Sequence, residues 1–328
     1  MTKGTSTRRK NRLPGSLYGN FDPGNNDKLM ISYRRESSHD YTMHGACGVL
    51  FEGEVHFFGG ATRFGENLYN YTQQHFVIEL QRSGQLVKMT KKEDLVIGFE
   101  SPSCSTFEMT GDYFPWFRSN VVILCFDWLN GKSCFSFDGK LKWIGFSKYG
   151  HIGGGLTKYN GNLLTFGGGI ISNNQKTEIL KMDENKNFSW SVVEPDFKFY
   201  QGLISHSLVT VKSSDTNREY VLLIGGRIER RVIKHIFKFN GHWFPFGKLK
   251  KPRYDHNSIY WNDAVYVIGG KSHKTRRPKT KGKFKTKIEI WNMEDSPDRF
   301  KTRKNWPELY NWVNPHLFIA PDSFFPDH

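Results

Sequence analysis

Histidines are the residues of this sequence whose type and spacing come closest to a chemical constellation. Five of them recur at a similar place ahead of successive apolar runs: His44, His151, His206, His256 and His316. Imidazoles that converge from neighbouring strands could hold a metal ion. A repeated histidine can also serve as a buried packing and hydrogen-bonding group, and no supporting carboxylate pattern accompanies these five. We therefore predict structural histidines and no metal site.

The four cysteines lack the spacing of a metal or redox site. Cys47, Cys104, Cys125 and Cys134 contain no CxxC pair, which excludes a zinc ribbon and a thioredoxin-like motif. The turn signal at 130–131 predicts a two-residue turn that would place Cys125 diagonal to Cys134, about 7 to 8 Å away and too far for a disulfide. We expect four reduced core thiols.

Other catalytic patterns are missing from the sequence. It contains no glycine-rich phosphate loop, no GxSxG elbow and no HExxH helix, and its glycine doublets lack the helix and ribose-binding acid of a dinucleotide site. The prediction is a protein that is not an enzyme and that carries no cofactor.

The composition favours strands over helices as the scaffold for these residues. The 328 residues include 27 Phe, 14 Tyr, 9 Trp and 32 Gly, a balance typical of strands and turns, which excludes an all-α fold. No apolar run approaches the roughly 18 residues of a membrane span, and no apolar segment follows the basic N-terminus. We expect no signal peptide and no transmembrane segment, and a cytoplasmic or nuclear location.

A doublet of glycines that closes an apolar run organises the chain. It occurs four times, as Gly59 and Gly60, Gly167 and Gly168, Gly225 and Gly226, and Gly269 and Gly270. The first interval is about twice the others, which predicts a further copy without the doublet at 119–128. Turn residues precede three doublets at a constant offset, at Gly53, Gly161 and Asp263. Each unit is thus predicted to contain four short strands.

These units resemble kelch repeats, most clearly over residues 242–270. There a Trp, a Pro-Arg ahead of a His, a turn and an apolar Gly-Gly follow one another in the order of that family. The resemblance implies an all-β fold, a kelch-type β-propeller with six four-stranded blades, one of them shared by the N- and C-termini. Strands at 316–320 and 323–325 would be the inner pair of the shared blade, and strands at 16–21 and 28–33 the outer pair.

The implied domain organisation is simple. Residues 1–14 form a basic, disordered N-terminal tail, and residues 15–328 form a single kelch-like propeller. We expect no BTB, BACK or F-box module in this chain, so any ubiquitin-ligase role would need a separate subunit. Some propellers of this type are oxidising enzymes that use a Tyr, His and Cys constellation, which cannot be traced here.

Charge is concentrated in two successive units. The chain has 47 Lys and Arg against 32 Asp and Glu, a net charge of +15, and residues 226–304 hold 22 of the cations and 7 of the acids, which accounts for all of the excess. The densest run is a loop at 271–287. The candidate electrostatic binding residues are Lys274, Arg276, Arg277, Lys279, Lys281, Lys283 and Lys285, with Arg227, Arg230 and Arg231 from the preceding unit.

This charge predicts a monomeric, non-catalytic interaction scaffold for a protein partner with an acidic surface, because clustered cations accelerate encounter. Three alternatives stay open for the loop: a solvated segment that binds nothing, a nuclear import signal, and non-specific binding of nucleic acid or another polyanion through phosphates. No membrane partner is expected. A carbohydrate-modifying or oxidising enzyme with a site at the channel mouth is the alternative from another class.

Overall fold

The structure is a computed structural model of all 328 residues. It describes residues 17–18, 27–32, 45–64, 68–71, 73–80, 87–108, 120–128, 130–169, 176–185, 187–193, 202–213, 216–272, 288–293, 301–303 and 316–321. These residues form strands, turns and bends, with no helix among them. The chain is therefore all-β in its described part, as the composition predicts.

Twenty-eight strands lie within the described residues. They are β1 (Leu17–Tyr18), β2 (Asp27–Ser32), β3 (Cys47–Phe51), β4 (Glu54–Phe58), β5 (Ala61–Phe64), β6 (Leu68–Tyr71), β7 (His75–Leu80), β8 (Val87–Lys91), β9 (Ser103–Glu108), β10 (Asn120–Cys125), β11 (Ser133–Phe137), β12 (Leu141–Phe146), β13 (Gly155–Tyr159), β14 (Asn162–Phe166), β15 (Thr177–Met182), β16 (Phe188–Val193), β17 (Leu203–Ile204), β18 (Ser207–Lys212), β19 (Glu219–Ile224), β20 (Arg227–Ile228), β21 (Arg231–Val232), β22 (His235–Phe239), β23 (Trp243–Lys248), β24 (Tyr254–Trp261), β25 (Ala264–Lys271), β26 (Ile288–Asn292), β27 (Lys301–Arg303) and β28 (His316–Pro321).

Five antiparallel sheets of four strands make up most of the fold. Sheet A has the order β3-β4-β7-β8, sheet B β9-β10-β11-β12, sheet C β13-β14-β15-β16, sheet D β18-β19-β22-β23, and sheet E β24-β25-β26-β27. Each sheet is a meander, because its strands are hydrogen-bonded in the order in which the chain enters them. The short hairpins β5-β6 and β20-β21 are insertions between the second and third strands of sheets A and D.

Tight turns join the first and second strands at the positions that the sequence predicts. Residues 52–53, 160–161 and 262–263 all have positive φ angles, between 46° and 80°. Positive φ at both central residues is the geometry of the two-residue hairpin turn that matches strand twist, which explains the Asn and Gly found there. Gly53, Gly161 and Asp263 are thus confirmed as turn residues.

Apolar side chains from facing sheets form the core. In the layer between sheets C and D, Leu164 and Phe166 pack with Val221, Leu223 and Phe237. Similar clusters lie between sheets A and B, B and C, and D and E. The second strand of each sheet is covered on both sides, which explains continuous apolar runs such as 221–224. Sheets adjacent in sequence are therefore adjacent in space.

Strands from the two ends of the chain share one sheet. Its order is β1-β2-β28, and β2 pairs with β28 in an antiparallel ladder that sets Leu29 opposite Ile319. The predicted pairing of an N-terminal with a C-terminal strand is present, while the predicted strand at 323–325 lies outside the described residues. β28 also contacts β24 of sheet E and β3 of sheet A, so this terminal sheet lies between the last and first four-stranded sheets.

Three of the four glycine doublets form corners between second and third strands, whereas Gly269 and Gly270 lie within β25 at the corresponding end of sheet E. In sheet D the Gly225 N–H donates to the His235 carbonyl at 3.1 Å, and the Gly226 N–H donates to the Arg253 carbonyl of the segment leading to sheet E at 2.9 Å. Both glycines have positive φ, and a Cβ on Gly225 would lie 2.7 Å from the Arg253 oxygen. The doublets of sheets A and C make the same two bonds, from Gly59, Gly60, Gly167 and Gly168. A doublet therefore closes its own sheet and attaches it to the next.

Sheet B forms this corner without glycine. The copy predicted at 119–128 is present as β10, and Phe126 stands at the first glycine position with a φ of 64°. Its N–H donates to the Ser133 carbonyl at 3.1 Å, as the first glycine does in the other corners. Asp127 follows, and its Oδ1 accepts the Glu100 N–H at 2.7 Å. The Trp128 N–H also donates to the Glu100 carbonyl at 2.9 Å, so two bonds hold this corner to the segment that leads into sheet B.

The prediction of reduced cysteines is wrong. Cys125 is the direct ladder partner of Cys134, with 4.2 Å between the Cα atoms, and the two form a disulfide. The sequence argument placed them diagonally because it assumed a two-residue turn, whereas the connection between β10 and β11 includes the whole of 126–132. A second disulfide joins Cys47 of β3 to Cys104 of β9 and so links sheets A and B.

Candidate functional site

Two inserted hairpins and one long connection lie at the same end of the sheets. Strands of a meander alternate in direction, so connections between second and third strands lie at the same end as connections from one sheet to the next. The glycine corners bond directly to those inter-sheet segments, as in the pair Gly226 and Arg253. The hairpins β5-β6 and β20-β21 and the connection between β25 and β26 all leave from this end. We call it the insertion face.

A basic hairpin stands on this face beside sheet D. β20 pairs with β17 on one side and with β21 on the other. Two of its predicted binding residues, Arg230 and Arg231, are exposed. The third, Arg227, is half-buried, with its guanidinium 5.3 Å from the centre of the Tyr254 ring. Arg227 therefore joins the hairpin to sheet E by a cation–π contact, while the other two arginines face solvent.

Four lysines extend the cationic surface below the hairpin. Lys234 precedes β22, Lys248 ends β23, and Lys250 and Lys251 follow on the way to sheet E; all four are exposed. They converge because His235 pairs with Lys248, and the Leu249 N–H donates to the Lys234 carbonyl at 2.8 Å. Glu229 is the only acid of residues 226–253. The edge of the insertion face beside sheet D is thus strongly cationic.

The pKa of His235 is affected by these neighbouring cations. Partial burial lowers the pKa of its imidazole, and the neighbouring Lys248, Lys234 and Arg231 lower it further. The ring therefore stays neutral near pH 7, and the positive potential of the surface comes from lysine and arginine alone.

A buried ion pair fixes the segment that carries these lysines. Arg253 and Glu289 are 1% and 2% exposed, and the Arg253 Nη2 lies 2.6 Å from Glu289 Oε1. The other oxygen of Glu289 accepts the Lys250 N–H at 2.7 Å, and Arg253 Nη1 donates to the Gly269 carbonyl at 3.0 Å. The connection between sheets D and E is therefore held rigidly against the corner of sheet E.

The densest basic loop begins next to this corner. β25 ends at Lys271, which is the ladder partner of Tyr254, and β26 begins at Ile288. The loop thus connects the second and third strands of sheet E, where the sequence places it. Its seven predicted binding residues lie outside the described residues: Lys274, Arg276, Arg277, Lys279, Lys281, Lys283 and Lys285. Because Arg227 contacts Tyr254, the loop and the basic hairpin start side by side.

The repeated histidines are buried at the same end. The His151 Nδ1 lies 2.7 Å from the Gly167 carbonyl oxygen and its Nε2 lies 2.8 Å from Glu178 Oε2, and both oxygens are hydrogen-bond acceptors. Burial lowers the pKa of His206 to about 4 and that of His256 well below its ordinary value. The described residues contain no group of three or more side chains placed to hold a metal ion. His44 and the side chain of His316 lie outside the described part.

Two further histidines contact each other in sheet A. His56 Nδ1 and His75 Nε2 are 2.9 Å apart, and Phe58 stacks on the His75 ring at 4.7 Å. Burial lowers the pKa of both imidazoles to about 4, with further lowering of the His56 value by His75 and of both by Lys92. Both rings are neutral near pH 7. The surrounding phenyl rings make this pair part of the core.

Sequence reasoning missed the groups that hold the insertion face together. Arg253 and His151 each lie just before the first strand of a sheet and bond to a Glu on its third strand, 36 and 27 residues further on, so neither pair leaves a signal in local spacing. The only sequence indication was the presence of a Glu in an otherwise apolar strand, IEIW at 288–291. The basic hairpin, by contrast, is visible in the sequence as RIERR directly after a glycine doublet.

Among the residues that the structure describes, none forms a helix that could cross a membrane. No protein-family model matches the chain, and the search of curated proteins found no match. The kelch interpretation therefore stays a prediction from the repeated residues.

Proposed function

We propose that the chain is a kelch-like β-propeller of six blades that serves as a non-catalytic interaction scaffold. Sheets A to E would be five blades and the terminal sheet, β1-β2-β28, the sixth. The contacts of β28 with both β24 and β3 support this ring, because they place the terminal sheet between the last sheet and the first. The recurring glycine corners support the kelch character.

The proposed activity is capture of a partner protein with an acidic surface on the insertion face. The observation that carries this proposal is the convergence of Lys234, Lys248, Lys250 and Lys251 next to the start of the 271–287 loop. Clustered exposed cations raise the association rate with an acidic surface, while specificity comes from apolar and aromatic contacts. The buried pair of Arg253 and Glu289 holds part of this surface in place before the partner arrives.

Ring closure is tested by truncation. Deleting residues 315–328 removes β28, and deleting residues 1–34 separately removes β1 and β2. Either deletion exposes strand edges and the buried faces of sheets A and E, so we expect aggregation and a large loss of stability. A truncated protein that stays monomeric and melts at the wild-type temperature would refute the shared blade.

The binding proposal is tested by neutralising the seven loop positions to Gln. Affinity purification with mass spectrometry should recover fewer acidic proteins with this variant, and the melting temperature should be nearly unchanged because isolated surface charges contribute little to stability. Treatment with nuclease separates protein partners from nucleic acid. Equal recovery with wild type and variant, at the same salt sensitivity, would leave the loop without a binding role. Metal analysis addresses the enzyme alternative, since stoichiometric copper or zinc would favour it.

A further inference from the structure

The outer strand of sheet B exposes aromatic side chains that the fold does not use. Trp143 and Phe146 of β12 are 59% and 56% exposed, and their rings meet edge to face at 5.4 Å. Tyr149 follows just beyond the strand and is 36% exposed. A neighbouring pair of largely exposed large aromatic side chains is uncommon on a monomeric protein surface and marks an interaction site.

The strand that carries these rings is an edge. Among the described strands, β12 is hydrogen-bonded only to β11. Edge strands offer unpaired backbone groups to another chain, and proteins usually protect them with proline, lysine or a covering loop. β12 has an aromatic residue in the middle of its length and another at its end.

Sheet D shows what a protected version of the same edge looks like. The two outer ladders share a register shift at the same place, so that Cys134 pairs with Gly145 and Phe135 with Trp143 in sheet B. In sheet D, Ile236 pairs with Gly247 and Phe237 with Pro245. Pro245 therefore takes the place of Trp143.

Lys248 takes the place of Phe146 by the same comparison. Phe146 pairs with Ser133 at the end of the sheet B ladder, and Lys248 pairs with His235 at the end of the sheet D ladder. Proline and lysine are the two residues that most often protect an edge. Sheet D has both at these two positions, whereas sheet B has aromatic residues there and carries its edge lysine, Lys142, at the position of Phe244.

The proline also indicates the direction of one backbone group. Proline occurs in edge strands where the N–H side faces solvent, because it has no hydrogen to donate to its neighbour. The N–H at the equivalent position, on Trp143, therefore faces the open edge. A strand that adds to β12 would find a backbone donor at Trp143 itself.

The positive charge around β12 favours one kind of binding partner. Lys140 and Lys142 lie at the start of β12, and Lys132 and Lys148 lie near its end. Asp138 is paired with Lys142 at 2.8 Å and so balances only one of the four. The net charge of +15 disfavours a second copy of the same chain. An acidic chain suits these surroundings.

We propose that β12 is a docking edge for an extended acidic segment of a partner protein, which adds as a fifth strand to sheet B. Backbone hydrogen bonds to β12 give register, alternate apolar side chains of the segment lie on Trp143 and Phe146, and its carboxylates face the flanking lysines. This site is separate from the cationic edge of the insertion face beside sheet D.

A synthetic heptapeptide, fluorescein-labelled Glu-Ile-Glu-Val-Glu-Ile-Glu, tests this directly by fluorescence anisotropy. Wild type should bind it. The variant Trp143→Pro/Phe146→Lys, which installs the residues of sheet D, should bind the peptide at least about tenfold more weakly. It removes both aromatic contacts and adds two residues that protect an edge strand. Its melting temperature reports whether the fold is kept, and sheet D shows that the position accepts both residues.

Two controls sharpen the test. The reverse exchange, Pro245→Trp/Lys248→Phe, should create a second peptide site on sheet D. The peptide Glu-Ile-Pro-Val-Pro-Ile-Glu keeps the apolar side chains but cannot form the ladder, and it should not bind. The triple variant Lys234→Gln/Lys250→Gln/Lys251→Gln removes cations of the insertion face, and the Trp143→Pro/Phe146→Lys exchange should still weaken heptapeptide binding about tenfold in that background, so this site can fail or succeed independently of the insertion face.

Absence of peptide binding by wild type, or equal binding by the Trp143→Pro/Phe146→Lys variant, would overturn the proposal. Light scattering gives a further decisive outcome. A concentration-dependent dimer that is lost in that variant would assign the edge to a second copy of the chain instead.

Discussion

Sheets B and D have nearly the same backbone architecture and differ in the residues at the corner, at the entry to the first strand and at the outer edge. Both are four-stranded meanders with a register shift in the outer ladder. The corner of sheet D is a glycine doublet, whereas that of sheet B is Phe126 and Asp127. The first strand of sheet D follows His206, whereas Pro102 precedes that of sheet B. The repeat thus fixes a geometry that several side-chain combinations can satisfy.

The corner comparison shows what the glycines do. Phe126 adopts the left-handed conformation with a side chain present, so positive φ alone does not require glycine. What differs is the space: Phe126 is buried against His151, with ring centres 4.8 Å apart, whereas a Cβ on Gly225 would meet the Arg253 carbonyl. Close approach to the next sheet is therefore the stronger constraint.

The largest predicted effect comes from breaking this close approach. Gly225→Ala should cost about 3 kcal/mol or more, because conformational strain adds to a clash with backbone. Gly161→Ala is the matched control, since its φ is similar but no atom lies within 4 Å of its would-be Cβ; it should cost about 1 kcal/mol. Urea unfolding measures both. Equal losses would show that contact with the next sheet is not the reason for glycine.

The His206 difference predicts a dependence on pH. Burial lowers the pKa of His206 to about 4, below its ordinary value of 6.5, so the unfolded chain binds more protons between these values. Stability should be complete above about pH 6.5 and should fall as the pH drops toward 4, by at most about 1.4 kcal/mol per pH unit for this group. Urea midpoints from pH 7.5 to 4.5 should decline less steeply for His206→Asn. Identical slopes would mean that His206 does not contribute.

Removing the Asp127 carboxylate from the corner of sheet B should have a moderate effect. Asp127→Ala leaves the Glu100 N–H without its carboxylate and should cost about 1–2 kcal/mol. Asp183→Ala is its control, because Asp183 also accepts a backbone N–H at 2.7 Å, from Asn187, but is exposed. The control should change stability by less than about 0.5 kcal/mol in chemical denaturation. An unchanged free energy of unfolding in Asp127→Ala would show that the carboxylate does not stabilise this corner.

The smallest effect is expected at the outer edges. Exchanging edge residues between sheets B and D, in either direction, should change the free energy of unfolding by less than about 1 kcal/mol, because these side chains are mostly in solvent. Thermal melting of both exchange variants checks this. A large destabilisation of Trp143→Pro would indicate that this residue supports the fold rather than an interaction.

Sequence reasoning predicted the parts of the fold that depend on local rules. Turn residues at 160–161 and the glycine doublets have direct conformational causes, so strands and corners could be placed from them. The unit at 119–128 was found by spacing although it lacks the doublet. The register of Cys125 and Cys134 was predicted wrongly because an Asn-Gly turn signal was assumed to set the ladder, whereas the corner at 126–127 determines it.

For the candidate site, the sequence predicted the concentration of positive charge but not the contacts that position it. The sequence shows that cations cluster in 226–304, but it does not show that Arg227 stacks on Tyr254 or that Arg253 is buried with Glu289. It also gives no sign that Trp143 is exposed, since a Trp in a strand is more often core, as Trp243 and Trp190 are. Such partnerships depend on how distant segments pack together and not on local pattern.

The central functional claim is that the insertion face beside sheets D and E attracts acidic partners. It is tested most directly by stopped-flow measurement of the association rate with labelled poly-L-glutamate. The triple variant Lys234→Gln/Lys250→Gln/Lys251→Gln is compared with Lys181→Gln/Lys212→Gln/Arg218→Gln, which removes the same charge near the opposite end of the sheets. We predict a several-fold slower association for the first variant, and a difference between the two that shrinks as added salt shortens the Debye length below about 8 Å. Equal rates for the two variants at low salt would contradict the claim.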